Sequence, residues 1–263
     1  MLVESFRKFI RISIPLAAGL ILSACATHTA KLPPSVEELN PDKPGWYPQF
    51  EDKVQYPDFV ELFPAPPAEN SPIFANDKKV FKDTRKLKGT QVWYDAAKFA
   101  RIAPEVLSEY FSPVMSRKIT KEETPWTYYI IARIIADVAG SGTRDIKHHY
   151  KRVRPFVYFN TGTCSTKEDE EAHRKSYSYP SSHAAYGQAL ALILTEIDPA
   201  NQAKIAKKGI EYGQFRVICG FHWDSDVNLG RLVASHVVAR LHTNMEFIDA
   251  LKNAKAEFGH QTR

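Results

Sequence analysis

Residues 124–142 read TPWTYYIIARIIADVAGSG. Apolar side chains recur there at three- and four-residue spacing, the period of one helix face and not the alternation of a half-buried strand. Thr124–Pro125 is a start signal, since proline in a first helical turn lacks only an amide that would be unpaired anyway. Gly140 and Gly142 read as the stop. The same spacing returns in DAAKFARIAPEVLSEYF (95–111), SHAAYGQALALILTEID (182–198), PANQAKIAKKGIEYGQFRV (199–217), LGRLVASHVVARLHTN (229–244) and MEFIDALKNAKAEF (245–258). Alternating runs are almost absent and there is no internal repeat. The fold class expected is all-α, one helical domain.

The chain has 263 residues, 44% hydrophobic and 25% charged, with a formal net charge of +5. That is the composition of a globular protein with a sizeable core. The mild charge suits an anionic small molecule, and no long basic run points to nucleic acid. Arg7, Lys8 and Arg11 precede the apolar run Ile12–Leu22, an export signal rather than a comfortable membrane span. Leu22-Ser23-Ala24-Cys25 resembles the bacterial lipoprotein cleavage box, in which the cysteine carries the lipid; the alternative is a plain secretory signal cleaved after Ala26 or Ala30. No aspartate follows Cys25, so the expected location is periplasmic, with a lipid anchor in the outer membrane. Residues 1–24 are read as signal, 25–70 as a proline-rich tether and arm, and 71–263 as the all-α domain. Of three cysteines, lipidation of Cys25 leaves Cys164 and Cys219, either bridged in an oxidising compartment or two buried thiols.

Chemistry concentrates in three places. In GQFRVICGFHWDSD (213–226), His222 and Asp226 stand four apart, one face of a helix if the helix continues, and a carboxylate there would hold the imidazole in one tautomer. Arg216 adds a fixed cation among apolar neighbours. In KHHYKRVRP (147–155), Lys147 and Arg154 lie seven apart, two helical turns before Pro155. In YPSSHAAYG (179–187) a proline-serine turn opens a helix, so the amides of Ser181, Ser182 and His183 are expected to be free donors at its positive end. Taken singly, each has a plainer reading: a solvated basic face, a serine N-cap, a structural histidine–carboxylate bond or half a metal site. His148, His149 and His173 read as surface or supporting residues.

Order and spacing together change that reading. K-x6-RP, PSSH and R-x5-H-x3-D resemble the three-part signature of the type-2 phosphatidic acid phosphatase superfamily. SYSYPSSH, RVICGFHWDSDV and the C-terminal LHTN stretch, with PAPP and FANDK upstream, look most like the class A nonspecific acid phosphatases of the bacterial periplasm, from about Phe63 to Phe258. The resemblance implies a helical bundle of the kind shared with vanadate haloperoxidases. It implies His222 as nucleophile, Asp226 as its orienting carboxylate and His183 as the acid that protonates the leaving group. Lys147, Arg154, Arg216, Ser181 and the amides near Ser182 would hold phosphate oxygens, with no metal and no cofactor required. The implied partners are small phosphate monoesters. Two positions depart from the family: Ser182 replaces the usual glycine and Phe215 the usual serine. The second is expected to narrow the entrance or touch the substrate's organic part. A lipid phosphatase and a non-catalytic binder of phosphate compounds are the competing readings.

Overall fold

The computed structural model of the chain describes residues 32–43, 46–52 and 55–259. The expected signal and Cys25 lie outside the described residues. Among these residues there is no strand, and the fold is all-α. Two short helices, α1 (Val36–Leu39) and α2 (Phe59–Leu62), belong to the proline-rich segment. There follow α3 (Pro72–Arg85), α4 (Gln91–Lys98), α5 (Pro104–Phe111), α6 (Pro125–Asp137), α7 (Arg144–Tyr150), α8 (Pro155–Tyr158), α9 (Lys167–Arg174), α10 (Ser182–Ile197), α11 (Gln202–Cys219), α12 (Asp224–Leu241) and α13 (Met245–Glu257).

The centre of the fold is α10, whose alanines, leucines and isoleucines are almost all buried. It packs between α11 and α12. Gly187 and Gly209 face each other where α10 crosses α11: a Cβ on Gly187 would stand 2.7 Å from the Gly209 carbonyl oxygen. No other residue permits backbones that close. This crossing brings the N-terminus of α10 beside the α11–α12 junction, where the charged residues lie.

The expected stop at Gly140 and Gly142 is not one. A π-helical turn, Val138–Thr143, carries α6 into α7. Gly142 lies against α12, where a Cβ would sit 3.2 Å from Val233 and Val237, so its smallness serves packing rather than termination. The long pattern at 95–111 also divides, with α4 and α5 separated before Pro104, since the residue ahead of proline is disfavoured in a helix.

The described residues belong to one compact unit. Phe50, Tyr56, Phe59 and Phe63 of the proline-rich segment join the main core. Buried Asp137 accepts hydrogen bonds from the Phe50 amide (2.8 Å), the Glu51 amide (3.2 Å) and the Tyr56 hydroxyl (3.0 Å). Arg133 donates to the Pro48 and Gln49 carbonyls. Cys164 and Cys219 form a disulfide that fastens the loop before α9 to the end of α11.

Candidate active site

The helix of α11 ends at Cys219, because Gly220 adopts a left-handed φ of +94° that favours glycine. The amides of Gly220 and Phe221 turn back to the Arg216 carbonyl at 3.1 and 3.0 Å. His222 therefore sits in the turn, and Asp226 lies in the first turn of the next helix. The expectation that one helix carries both is corrected: the glycine between Cys219 and Phe221 ends the first helix and starts a sharp reversal. The pair still meets, with His222 Nδ1 3.4 Å from Asp226 Oδ2. At that distance the angle is not that of a formed hydrogen bond, and Nδ1 is without a hydrogen-bond partner. The same Oδ2 accepts from the Trp223 amide at 2.8 Å, the reach-back that closes a helix N-terminus.

Lys147 and Arg154 do not share a helix either. Lys151 takes a left-handed conformation (φ 50°) after α7, and Arg154 is extended, as the N-cap of α8. They converge instead on one carbonyl: Lys147 Nζ lies 3.2 Å and Arg154 Nη2 3.0 Å from the Tyr177 oxygen. Lys147 also donates to the Pro180 carbonyl. Arg154 Nη1 is 3.1 Å from His222 Nε2. A guanidinium has no acceptor, so this contact makes Nε2 the unprotonated nitrogen and puts the ring's proton on Nδ1.

Ser181 caps α10, its hydroxyl accepting from the Ala184 amide, as expected of a serine there. Its own amide is used, donating to the Asp226 carbonyl at 2.9 Å. The amides of Ser182 and His183 stand in the first turn, where no intrahelical acceptor exists. The Ser182 hydroxyl bonds Thr143 at 2.8 Å, tying the α10 N-terminus to the π turn. His183 Nε2 lies 2.8 Å from the Ala100 carbonyl; that nitrogen must donate, which leaves Nδ1 as the ring's other, basic nitrogen. Phe215 does not line an entrance. It is 3% exposed and stacks with Phe99, beside Tyr110.

Arg216 is 2% exposed, and its Nε and Nη1 find no acceptor. Its guanidinium lies over the Phe221 ring at 4.4 Å. Burial pushes its pKa, and that of Arg154, down to about 10. Burial, with Arg154 nearby, also drives Lys147 well below its usual value. Both histidines fall well below the ordinary imidazole range, by burial first and then by repulsion from Arg154 for His222 and Arg216 for His183.

Two residues essential to this arrangement escaped sequence reasoning. Arg152 donates to Asp226 Oδ1 at 2.6 Å and to Asp77 Oδ2 at 2.8 Å. Nothing in KRVRP distinguishes it from Lys151 beside it; Asp77 is visible only as part of FANDK. Counting them, the cluster sets Lys147, Arg152, Arg154 and Arg216 against Asp77 and Asp226, with Asp169 of α9 also acting on Arg154 and Arg216. His148 and His149 are exposed on α7, whereas His173, which bonds within α9, packs its ring against Phe221 at 5.1 Å and feels both Arg154 and Arg216.

A buried cradle of fixed cations around two histidines at a helix N-terminus defines a protein that handles anionic phosphate-like groups. The model of the PAP2 superfamily matches residues 125–248, which include all three charged segments. The non-specific acid phosphatase of Providencia stuartii is 41% identical over 229 residues, covering 87% of this chain and 90% of that protein. That of Salmonella typhimurium is 40% identical over 194 residues, 74% of this chain and 77% of its own. An acid phosphatase of Zymomonas mobilis is 33% identical over 242 residues, 92% and 85% respectively. The chain belongs to the PAP2 superfamily and, within it, to the non-specific acid phosphatases.

Proposed function

We propose that this acid phosphatase hydrolyses phosphate monoesters through a phosphohistidine on His222, without a metal, as an exported lipoprotein. Arg216 carries the reading, a buried cation with two nitrogens lacking acceptors that the oxygens of a phosphomonoester would supply. The tautomer supports the same role. With Nδ1 protonated beside Asp226, the Nε2 lone pair attacks phosphorus, the P–N bond forms and the P–O ester bond breaks. His183, protonated on Nδ1, gives its proton to the leaving alkoxide. It then takes a proton from water, which attacks phosphorus, breaks the P–N bond and releases inorganic phosphate. Arg154, Arg216 and Lys147, with the Ser182 and His183 amides, stabilise charge on the transferring oxygens, work a metal would do elsewhere. Ser181 shapes the turn that aims those amides.

Depressed histidine pKa values suit an attacking His222, which must be neutral. His183 needs its proton, and the bound dianion raises both rings toward it. The rate is therefore bell-shaped in pH, with midpoints belonging to the coupled site. The test is p-nitrophenyl phosphate turnover with EDTA present, for the wild type and His222→Ala. The expected result is activity indifferent to EDTA and abolished by the substitution; wild-type turnover in His222→Ala would overturn the nucleophile.

Among the described residues no helix is long and apolar enough to cross a membrane. The anchor rests on Cys25, and fractionation of a Cys25→Ser variant tests it: the expected result is release from the membrane.

A further inference from the structure

We infer that Arg152, held by Asp77, is the positioning residue that fixes Asp226 against His222, so that α3 takes part in setting the nucleophile's tautomer. This rests on the reading of His222 as the nucleophile. The Arg152 side chain is 8% exposed, and both terminal nitrogens of its guanidinium are engaged. One nitrogen donates to Asp226 Oδ1 (2.6 Å) and the Ser225 hydroxyl (2.7 Å), and the other to Asp77 Oδ2 (2.8 Å). Asp77, itself 1% exposed, accepts from the Ser225 amide at 2.9 Å and its hydroxyl at 2.6 Å. Phe74, Trp223 and Tyr179 wall the guanidinium with their rings, at 5.4, 5.4 and 5.8 Å. Three segments thus meet on one planar group: α3 through Asp77, the stretch before α8 through Arg152 and the start of α12 through Ser225 and Asp226. The groups that accept from Arg152's terminal nitrogens, Ser225, Asp226 and Asp77, are not among the proposed phosphate ligands.

The consequence for chemistry lies in Asp226. Its carboxylate takes Arg152 on Oδ1 and the Trp223 amide on Oδ2, and His222, Lys147, Arg154 and Tyr179 also act on it. A carboxylate withdrawn from water tends to take up a proton. A protonated Asp226 would lose the charge that favours Nδ1–H and that offsets the imidazolium formed when Nε2 bonds phosphorus. Burial raises the Asp226 pKa, and Arg152 is the first group opposing that rise. Arg152 on Oδ1 and the Trp223 amide on Oδ2 together keep the carboxylate from rotating, and Asp77 on the second guanidinium nitrogen fixes the arginine in turn.

The experiment compares Arg152→Met, Arg152→Lys and Asp77→Asn with the wild type and His222→Ala, using p-nitrophenyl phosphate across pH and inorganic phosphate as inhibitor. Each rate is corrected for the folded fraction by circular dichroism. For Arg152→Met the expected fall in kcat is roughly 10- to 100-fold, the range seen when a group orienting a working residue is removed. KM and phosphate inhibition stay near wild type, and the acid limb of the profile moves to higher pH. Lysine restores part of the loss, and Asp77→Asn shows the same signature more weakly. A merely structural pair would lower the folded fraction but leave kcat per folded molecule and the acid limb unchanged, and that result overturns the inference. Should Arg152→Met fail to fold, Asp77→Asn and Arg152→Lys decide by the same two readouts. An inactive His222→Ala beside wild-type-like Arg152 and Asp77 variants rejects this inference alone, whereas an active His222→Ala rejects the function it rests on.

Discussion

Arg216 is a positive charge at 2% exposure with two nitrogens lacking acceptors. A buried, uncompensated ion destabilises the free protein, and under the proposed function an arriving anion supplies the acceptors it lacks. His183 and His222 share that bias, since burial and the surrounding cations hold both neutral. Below about pH 6.5 the unfolded chain's histidines take up protons that these native rings refuse, so the free protein loses stability as pH falls through that value. A bound dianion removes the refusal by raising both native pKa values. Sulfate keeps its charge over this range and serves as the probe. Its stabilising increment in melting temperature should grow from about pH 8 to about pH 5, and Arg216→Met should lose most of it while the free variant melts no lower. An increment that shrinks on acidification contradicts the histidine assignments.

At the scale of elements, the helices were legible and the breaks between them were not. Three- and four-residue spacing reports which face is buried, which is why the long patterns of α6, α10, α11, α12 and α13 all stand. It says nothing about where a chain reverses. Lys151 in a left-handed conformation has no residue-type signal, and Gly220 looks like any glycine until its φ is known. Arg216, His222 and Asp226 were readable through their spacing, although they lie on two helices and a turn instead of one. Arg152 and Asp77 were not, because a buried ion pair between residues 75 positions apart leaves no local pattern. Phe215 shows how an element supports a site at one remove. It stacks with Phe99 at 6.5 Å, and the carbonyl of the next residue, Ala100, fixes the His183 ring. Phe215→Ser should therefore cost about 3–5 kcal/mol of stability by opening a cavity. Its kcat should fall while preference among small and bulky monoesters stays unchanged. Denaturant titration and a two-substrate comparison measure both.

For the whole molecule, the proline-rich segment matters because it closes one side of the core. Its hold depends on Asp137, which is 0% exposed and takes donors from Phe50, Glu51 and Tyr56. Burial raises the Asp137 pKa from 3.8 to about 6, although those three donors and Arg133 oppose the rise. Between those two values the native protein binds a proton that the unfolded chain does not, so this group makes folding more favourable as pH falls through the window. The shift of about two units corresponds to roughly 3 kcal/mol. A protonated carboxyl still has lone pairs for the segment's amides, whereas Asp137→Asn places an amide's donors where acceptors are needed. The variant is neutral at every pH and gains nothing on acidification. Its stability deficit relative to wild type should therefore be larger at about pH 4 than at about pH 7.5, by up to the same order. Urea unfolding of both proteins at the two pH values isolates the difference, because all other titrations are common to the pair. A deficit that is equal at both, or greater at neutral pH, would show that the carboxylate holding the segment is not the strained, buried acid its surroundings imply.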